Sequence, residues 1–394
     1  MIKHQQTALR SVARTEVPAR KTERLGPFLK WAGGKEQELK HILPLVPPFD
    51  SFYEPFVGGG AVFFSLQPPR SFINDKSPEL FNLYHMIAQQ NEHFFAALDT
   101  LFRSWQHISI LVDREATNII DMYNQYSMDT FLEEEMENRL LAFIQSHVDD
   151  FSEMAQAVFS TGVQHFLDEM KRNLLSKTKR MKAIENKKRK LPDYDIVANI
   201  ECALKSAFYM HIRHLYNNIE KYEIQPALAA ALFFFVRENA YASMFRYNSQ
   251  GKFNVPYGGI SYNRKDLARK IAYMQSPALH RLLKNTVIEN LDFEEFLHRH
   301  APERDDFIFL DPPYDSEFST YAQNEFSIKD QERLAHYLMN RCRARFMLVI
   351  KNTPTIFRLY NQANLTIRTV DKRYLVSFQD RNDKHAEHLI ITNY

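Results

Sequence analysis

Phe307-Ile308-Phe309-Leu310-Asp311-Pro312-Pro313-Tyr314 joins four apolar residues to a turn that contains two prolines. The apolar run predicts a buried parallel strand, and open α/β sheets bind ligands just beyond the carboxyl ends of such strands. Since prolines donate no backbone hydrogen bond, the turn offers only acceptors and suits a flat heterocycle that carries an NH2 group. An ordinary surface turn explains the Asp-Pro pair equally well, so the rest of the sequence has to decide.

The composition excludes several classes of protein. The chain of 394 residues is long enough for one large domain with an insertion, or for two domains. Its 50 Lys and Arg nearly balance its 48 Asp and Glu, so net charge indicates no class of partner. Because only Cys202 and Cys342 are present, we expect no disulfide framework, no metal site and a reducing, cytoplasmic compartment. Nothing in the sequence predicts a membrane span, and residues 1–24 are predicted to form a flexible basic tail.

Glycine is concentrated at a few places. Eight of the ten glycines lie at Gly33-Gly34, Gly58-Gly59-Gly60, and Gly251 with Gly258-Gly259. Such clusters mark backbone that bends sharply or approaches a ligand closely. The loop from Glu54 to Gly60 lies between a predicted strand and a predicted helix, but neither it nor Ala32-Gly33-Gly34-Lys35 matches a dinucleotide or triphosphate motif. ATP binding is therefore disfavoured.

Asp75 ends the predicted strand Ser71 to Asp75, 17 residues after Gly58. An acidic residue in this place accepts hydrogen bonds from a ribose diol in nucleotide-binding sheets. The alternative is that Asp75 only caps the helix entered through Ser77-Pro78. A nucleoside cofactor without a triphosphate fits this part of the chain.

Strands and helices are predicted to alternate around a long helical segment. Helical periodicity runs from about Asn91 to about Gln225. Besides Ser51 to Glu54 and the Asp75 strand, we predict strands at 286–289, 307–310 and 345–350, and an antiparallel edge pair at 366–369 and 388–392. A single sheet is thus built from both ends of the sequence.

The helical segment has a strongly divided charge. Residues 131–153 carry seven acids and one Arg, whereas residues 171–190 carry ten Lys or Arg and one Glu. The basic run could contact phosphate, and such contacts are salt-sensitive. We favour the alternative, in which it pairs with the acidic segment.

The motifs together resemble a known family. Phe28 to Lys35, Glu54 to Gly60, Ile73 to Asp75 and Asp311 to Tyr314 occur in the order seen in the Dam-type, alpha-group DNA adenine-N6 methyltransferases. Phe245-Arg246-Tyr247-Asn248 with Gly251 to Gly258 is similar to that family's target-recognition hairpin. The resemblance implies an α/β fold, with a Rossmann-like S-adenosylmethionine-dependent methyltransferase sheet, helices on both faces, an inserted helical subdomain and a DNA-recognition hairpin. The implied division is a catalytic domain at 25–90 and 276–394, a helical insertion at 91–230 and a target-recognition region at 231–275.

The resemblance also implies the cofactor and the residues that bind it. S-adenosylmethionine is the methyl donor, and its expected contacts are Trp31, Lys35, Glu54, Phe56, Gly58, Asp75 and Asp311. Cation–π attraction favours an indole near a positive sulfonium. Core packing is the alternative for Trp31, and an exposed helix start is the alternative for Lys35.

The catalytic residues are predicted to be Asp311, Pro312 and Tyr314. The adenine amine is a weak nucleophile because its lone pair is delocalised into the ring. The Asp311 carboxylate and the Pro312 carbonyl can accept its two N–H bonds and stabilise the positive charge that develops. Tyr314 would stack on a base that has been flipped out of the duplex.

Aromatic and basic residues alternate in the recognition region, a pattern that suits contacts to bases and phosphates. The predicted DNA contacts are Tyr241, Met244, Arg246, Asn248, Lys252 and Pro256, with Arg246 the candidate for a guanine. The alternative is a hairpin whose aromatics face the core. Ala242-Ser243 replaces the Asn-Gly pair typical of relatives that modify GATC, which makes a GATC target doubtful.

The predicted function is site-specific, adenine-specific methylation of double-stranded DNA in a bacterial or phage-encoded cytoplasmic enzyme, with a cognate restriction endonuclease as a candidate partner. An RNA or protein amide methyltransferase and a catalytically inactive DNA-binding relative are the alternatives. Host maintenance, restriction-modification and phage protection all stay open.

Overall fold

The computed structural model describes residues 23–151, 163–313, 326–373 and 385–394. Tyr314 and residues 1–22 of the predicted tail lie outside this part of the chain. Within it, seven strands form one sheet: β1 Phe52–Glu54, β2 Ser71–Asn74, β3 Thr286–Glu289, β4 Phe307–Leu310, β5 Arg345–Lys351, β6 Thr366–Arg373 and β7 His385–Thr392. A strand was predicted at each of these places, and all seven are confirmed.

The strand order is β3-β2-β1-β4-β5-β7-β6. The pairs formed among β1 to β5 are all parallel, whereas β7 is antiparallel to both β5 and β6. The predicted antiparallel edge pair is therefore present. From β1, the strands β2 and β3 are added toward one edge of the sheet, whereas β4 and β5 are added toward the other edge. The direction in which strands are added therefore reverses between β1 and β4. Open α/β sheets bind ligands at such a point, beyond the carboxyl ends of the strands.

Both faces of the sheet are buried. In β4, Phe307 and Phe309 belong to one hydrophobic core, and Ile308 and Leu310 belong to the other. This alternation follows from the period of two along a strand. All four residues are buried, which explains why the sequence shows a continuous apolar run.

Helices cover the two faces, as predicted. Those that the structure describes are α1 Leu39–Ile42, α2 Ala61–Leu66, α3 Pro78–Ala88, α4 Glu92–Arg114, α5 Ala116–Ser127, α6 Glu133–Ser146, α7 Val163–Glu185, α8 Asp193–Tyr216, α9 Pro226–Asn239, α10 Ala268–Met274, α11 Pro277–Lys284, α12 Phe293–His300, α13 Ile328–Asn340 and α14 Pro354–Tyr360. Residues of α12, α13 and α14 share a core with one face, and residues of α2, α3 and α11 share a core with the other. The mixed α/β fold is thereby established.

The helical region from α4 to α9 packs on one face of the sheet without a separate core. Trp105 of α4 is buried and its ring lies 5.4 Å from that of Phe235 in α9 and 6.2 Å from that of Phe208 in α8. These residues belong to the same continuous core as Phe307 and Phe309 of β4. The helical region and the sheet therefore share one hydrophobic core.

Ion pairs join the acidic and basic segments of this region. Lys171 lies 2.9 Å from Glu137, and Lys179 lies 2.5 Å from Glu133, across the α6–α7 contact. The favoured interpretation of the charge division is confirmed for these lysines. Residues 187–190 follow α7 and are exposed.

Candidate active site

A cavity of about 380 Å³ lies at the carboxyl ends of the central strands, where the strand order reverses. Glu54 ends β1, Asp75 follows β2 and Asp311 follows β4, and all three line the cavity. Parallel strands present their carboxyl ends at one edge of a sheet, so acidic residues far apart in sequence are brought together there. The predicted cofactor residues Trp31, Lys35, Phe56 and Gly58 line the same cavity.

The glycine loop between β1 and α2 requires glycine at two positions. Gly58 and Gly60 have φ values of +49° and +73°, in the left-handed region that other residues rarely adopt. A Cβ atom on Gly58 would lie 2.7 Å from Cδ1 of Trp31, and one on Gly60 would lie 2.7 Å from the hydroxyl of Tyr84. The loop therefore packs closely against the Trp31 ring, and both line the cavity.

Asp75 is held by two backbone amides. Gly58 N donates to its Oδ2 at 3.0 Å, and Ser77 N donates to its Oδ1 at 2.9 Å. Burial raises the pKa of Asp75 to about 6, against the opposing effect of these two hydrogen bonds. Ser77, not Asp75, caps α3, because its side chain accepts from Leu80 N. Asp75 thus shapes the glycine loop and lines the cavity at once.

Glu54 is a buried carboxyl group with an unsatisfied oxygen. Its exposure is 2%, and Oε2 has no hydrogen-bond partner within the described residues. Burial, followed by the charge of Asp311, raises the pKa of Glu54 well above its ordinary value. A buried oxygen that lacks a partner beside a cavity is expected where a bound ligand completes the hydrogen bonding.

Asp311 forms an ion pair with Lys35. Lys35 Nζ also donates to the carbonyl of Gly33 at 2.9 Å, and its side chain is only 3% exposed, which rules out the exposed-helix alternative. Pro312 is buried, and the Pro313 carbonyl accepts from Nε2 of Gln331 at 3.0 Å. The acceptor loop predicted after β4 is therefore anchored on both sides. Its aromatic member, Tyr314, is outside the described residues.

Several residues of the cavity were not predicted. Leu291, Asp292 and Phe293 follow β3 and line the cavity beside Phe56, whose ring lies 5.5 Å from that of Phe293. The sequence could have predicted them, because they follow the carboxyl end of a predicted strand, where ligands bind in such sheets. Phe245 of the recognition region also lines the cavity, and no sequence signal distinguished it from the aromatics around it.

The predicted recognition hairpin is present as two isolated antiparallel bridges, Ala240 to Tyr257 and Tyr247 to Phe253. Its tip is a turn in which Oδ1 of Asn248 accepts from the amide of Lys252 at 2.9 Å. Five of the six predicted DNA contacts are exposed, namely Tyr241, Arg246, Asn248, Lys252 and Pro256. The sixth, Met244, is half-buried. These side chains share one exposed loop system next to the cavity.

Part of the alternative interpretation of the hairpin is correct. Phe245, Phe253 and Tyr257 are buried at 5%, 1% and 8% exposure, so these rings pack into the core. Two of the cations that follow the hairpin form ion pairs with a buried carboxylate. Lys265 and Lys270 pair with Glu238 at 2.8 and 2.6 Å.

Between 23 and 394, outside the gaps, no cluster of three or more His, Cys, Asp or Glu is arranged to hold a metal ion. None of the described helices is long and apolar enough to cross a lipid bilayer.

The strand order, with a cavity at the β1/β4 switch point, is that of the Rossmann-like fold of S-adenosylmethionine-dependent methyltransferases. Within that class, the family model of the D12 class N6 adenine-specific DNA methyltransferases matches residues 31–110 and 138–374. This is most of the chain, and the chain belongs to that family. The predicted resemblance and the predicted activity, DNA adenine-N6 methylation, are confirmed.

Two of three relatives match most of this chain at low identity, and the third matches less than half of it at higher identity. A type II methyltransferase of Lactococcus lactis subsp. cremoris is 23% identical over 380 residues, which is 94% of this chain and 96% of that protein. A DNA adenine methylase of Haemophilus influenzae is 23% identical, over 86% of this chain and 83% of its own. A type II methyltransferase of Paramecium bursaria Chlorella virus NC1A is 31% identical over 172 residues, which is 42% of this chain and 61% of that protein.

Proposed function

We propose that the cavity binds S-adenosylmethionine and that the Asp311 loop presents the N6 amine of a flipped-out adenine to it. The observation that carries this proposal is the Asp311–Lys35 ion pair at the carboxyl end of β4, beside the glycine loop and Asp75. The Asp311 carboxylate, which would accept a hydrogen bond from the adenine amine, thus lies in the same cavity as the residues proposed to bind a nucleoside.

The residues fit this cofactor. A volume of about 380 Å³ lies in the range of small-molecule sites. Oε2 of Glu54 is a buried acceptor without a partner among the described residues, and suits the cofactor's amino group. Asp75 and Trp31 line the cavity, and we assign Asp75 to the ribose hydroxyls and Trp31 to the sulfonium end. When bound, S-adenosylmethionine supplies a methyl group that its positive sulfur makes electrophilic.

Asp311 and Pro312 perform the catalytic work of the chain. A carboxylate offers about four lone-pair directions, so Asp311 can keep its bond to Lys35 and also accept an N–H from adenine. The ion pair fixes the carboxylate in place before the base arrives. As nitrogen becomes positive in the transition state, Asp311 binds it more strongly than in the ground state, and this difference lowers the barrier.

The recognition hairpin is proposed to select the target. Arg246 is exposed, and its Nε donates to Oδ1 of Asn254 at 2.9 Å, which orients the guanidinium away from the core. An arginine held in this way suits a bidentate contact to a guanine. Tyr241, 51% exposed, is available to fill the space that the flipped base leaves. Tyr314 retains its proposed role in stacking on the flipped adenine.

The biological setting is proposed from the relatives. Two of those named above are type II methyltransferases, which favours a modification enzyme that acts beside a restriction endonuclease in a bacterial or phage-infected cytoplasm. Ala242-Ser243 argues against a GATC target.

The decisive experiment is to incubate the purified chain with S-adenosylmethionine labelled in the methyl group and with duplex DNA, RNA or a protein extract. We expect label in DNA only, as N6-methyladenine in one short sequence context that sequencing of the modified DNA identifies. Label in RNA or protein without label in DNA would establish the first alternative. Binding of DNA with no transfer to any substrate would establish the inactive relative.

A further inference from the structure

Arg237 is a buried cation at the end of α9. Its exposure is 3%. Nη2 donates to the carbonyl of Lys30 at 2.9 Å, and Nη1 donates to the carbonyl of Met244 at 3.0 Å. The guanidinium carbon lies 5.3 Å from the ring centre of Trp31 and 4.2 Å from that of Phe245. One side chain thus bridges two loops that are more than 200 residues apart in sequence.

The electrostatics of this bridge are unusual. Within the described residues Arg237 has no carboxylate at ion-pair distance, because the adjacent Glu238 pairs with Lys265 and Lys270 instead. Burial lowers the pKa of Arg237 to about 10, so it remains a cation at neutral pH. Burying a charge without a counter-ion is unfavourable, and an apolar side chain could fill the same space without that penalty. A role beyond packing accounts for the cation.

The two bridged loops belong to different parts of the proposed function. Lys30 precedes Trp31, which lines the cavity and packs on Gly58. Met244 precedes Phe245 and Arg246 at the start of the hairpin. The rings of Trp31 and Phe245 lie 5.1 Å apart and both line the cavity. A ligand that orders the Trp31 ring therefore acts directly on the residues that carry Arg246.

We propose that Arg237 is a positioning residue that couples cofactor binding to target recognition, by fixing the Trp31 loop and the Met244–Arg246 loop to each other. The inference rests on the proposed cofactor and DNA assignments. With the cofactor in place, Trp31 holds Arg237, and Arg237 holds the hairpin in the geometry that reads DNA. By linkage, cognate DNA then strengthens cofactor binding by the same factor.

The coupling is measured with S-adenosylhomocysteine, the cofactor product, and with a duplex that carries the mapped methylation site. Affinity of the full chain for the duplex is determined with and without saturating S-adenosylhomocysteine. We expect the nucleoside to tighten binding to the site by at least about fivefold, the lower end of ordinary coupling, and to change binding of an unrelated duplex little. Equal affinity with and without it in the unmodified protein overturns the proposal.

Two substitutions test the residue itself. Arg237→Met keeps the length and the apolar stem, and Arg237→Lys keeps the charge but cannot bridge two carbonyls with a planar fork. Both should reduce the coupling factor to below about twofold, while S-adenosylhomocysteine still binds each variant without DNA. Should Arg237→Met fail to fold, Arg237→Lys decides alone. Retention of the full coupling factor by Arg237→Lys refutes the bridge.

Arg213 offers the matched control. Its Nη1 also donates to a backbone carbonyl of the hairpin region, that of Val255 at 2.9 Å, but it does not line the cavity. Arg213→Met should weaken duplex binding equally with and without S-adenosylhomocysteine, leaving the coupling factor unchanged. If Arg213→Met abolishes coupling as Arg237→Met does, general loosening of the hairpin is responsible and the proposal is wrong. The methylation experiment separates failure of this proposal from failure of the proposed function, because without the proposed activity no methylated adenine is mapped at all.

Discussion

The cavity and the recognition hairpin are built in opposite ways. Glu54 ends a parallel strand, and Asp75 and Asp311 each follow one, so their positions are set by backbone ladders buried on both faces. The hairpin has two isolated bridges, and its approach includes Ala242 and Ser243 with φ values of +52° and +54°. Chemistry that must be accurate is placed on rigid elements, whereas target selection is placed on loops that can vary without disturbing the sheet.

The largest effect on methyl transfer should follow from a substitution in the cavity, which is built on the sheet. Asp311→Asn keeps the shape of the side chain but removes the charge that stabilises a positive nitrogen. We expect single-turnover methyl transfer to fall by about 100- to 1,000-fold, with duplex binding nearly unchanged. Rates and affinities measured on the same mapped duplex separate the two.

The ion pair with Lys35 requires a control for this variant. Removing one partner of a buried pair leaves an uncompensated charge and destabilises the protein by about 3–5 kcal/mol. The double variant Asp311→Asn, Lys35→Met removes both charges and should recover stability without recovering activity. Recovery of the rate would show that Asp311 acts only by neutralising Lys35.

A substitution in the recognition hairpin should alter the choice of target sequence and leave the methyl-transfer step intact. Arg246→Ala is expected to weaken discrimination at one guanine position by about 1–3 kcal/mol. Methylation rates on duplexes altered at each position of the mapped site show which position loses its preference. Uniform loss over all duplexes would instead make Arg246 a phosphate contact. Arg269, 94% exposed and 3.8 Å from Asp266, is the control, and Arg269→Ala should not change the position profile.

The same contrast explains what the sequence could predict. Strand β4 was visible because a doubly buried strand is a continuous apolar run, and Asp311 was visible because it follows that run. Phe245 and Arg237 were not visible. Nothing local tells that an arginine is 3% exposed, or which ring among several aromatics lines a cavity. Those facts depend on long-range packing between loops that no periodicity describes.

A smaller effect is expected from pH, through Asp75. Burial raises its pKa to about 6, above the ordinary 3.8, so protonation favours the folded state and this contribution to stability is lost as pH rises through about 6. Ribose binding needs the ionised form and changes in the opposite direction. Affinity for S-adenosylhomocysteine should therefore fall by about tenfold between pH 7 and pH 5, as titration calorimetry can measure.

Asp75→Asn separates this group from others that titrate nearby, such as Glu54. The variant should bind S-adenosylhomocysteine weakly and without the loss below about pH 6. An unchanged pH profile in the variant would assign the loss to a different group, and the ribose contact would have no support.

The smallest effect concerns the backbone of the approach turn. Ser243 has φ of +54° while its amide donates to the carbonyl of Ala240 at 3.0 Å, so the turn is hydrogen-bonded but strained. Ser243→Gly should raise stability by about 0.5–1 kcal/mol, since relief of the left-handed strain exceeds the added entropy of the unfolded chain. Ala240→Gly is the control, and it should lower the stability because Ala240 has φ of −66° and is fully buried.

The strained turn also has a consequence for recognition. If the turn is kept strained for recognition, the stabilised Ser243→Gly protein will discriminate less well among altered duplexes. Urea unfolding measures the stability, and methylation rates on the altered duplexes measure the discrimination. A lower stability for Ser243→Gly contradicts the strain, because then the serine side chain itself must hold the turn.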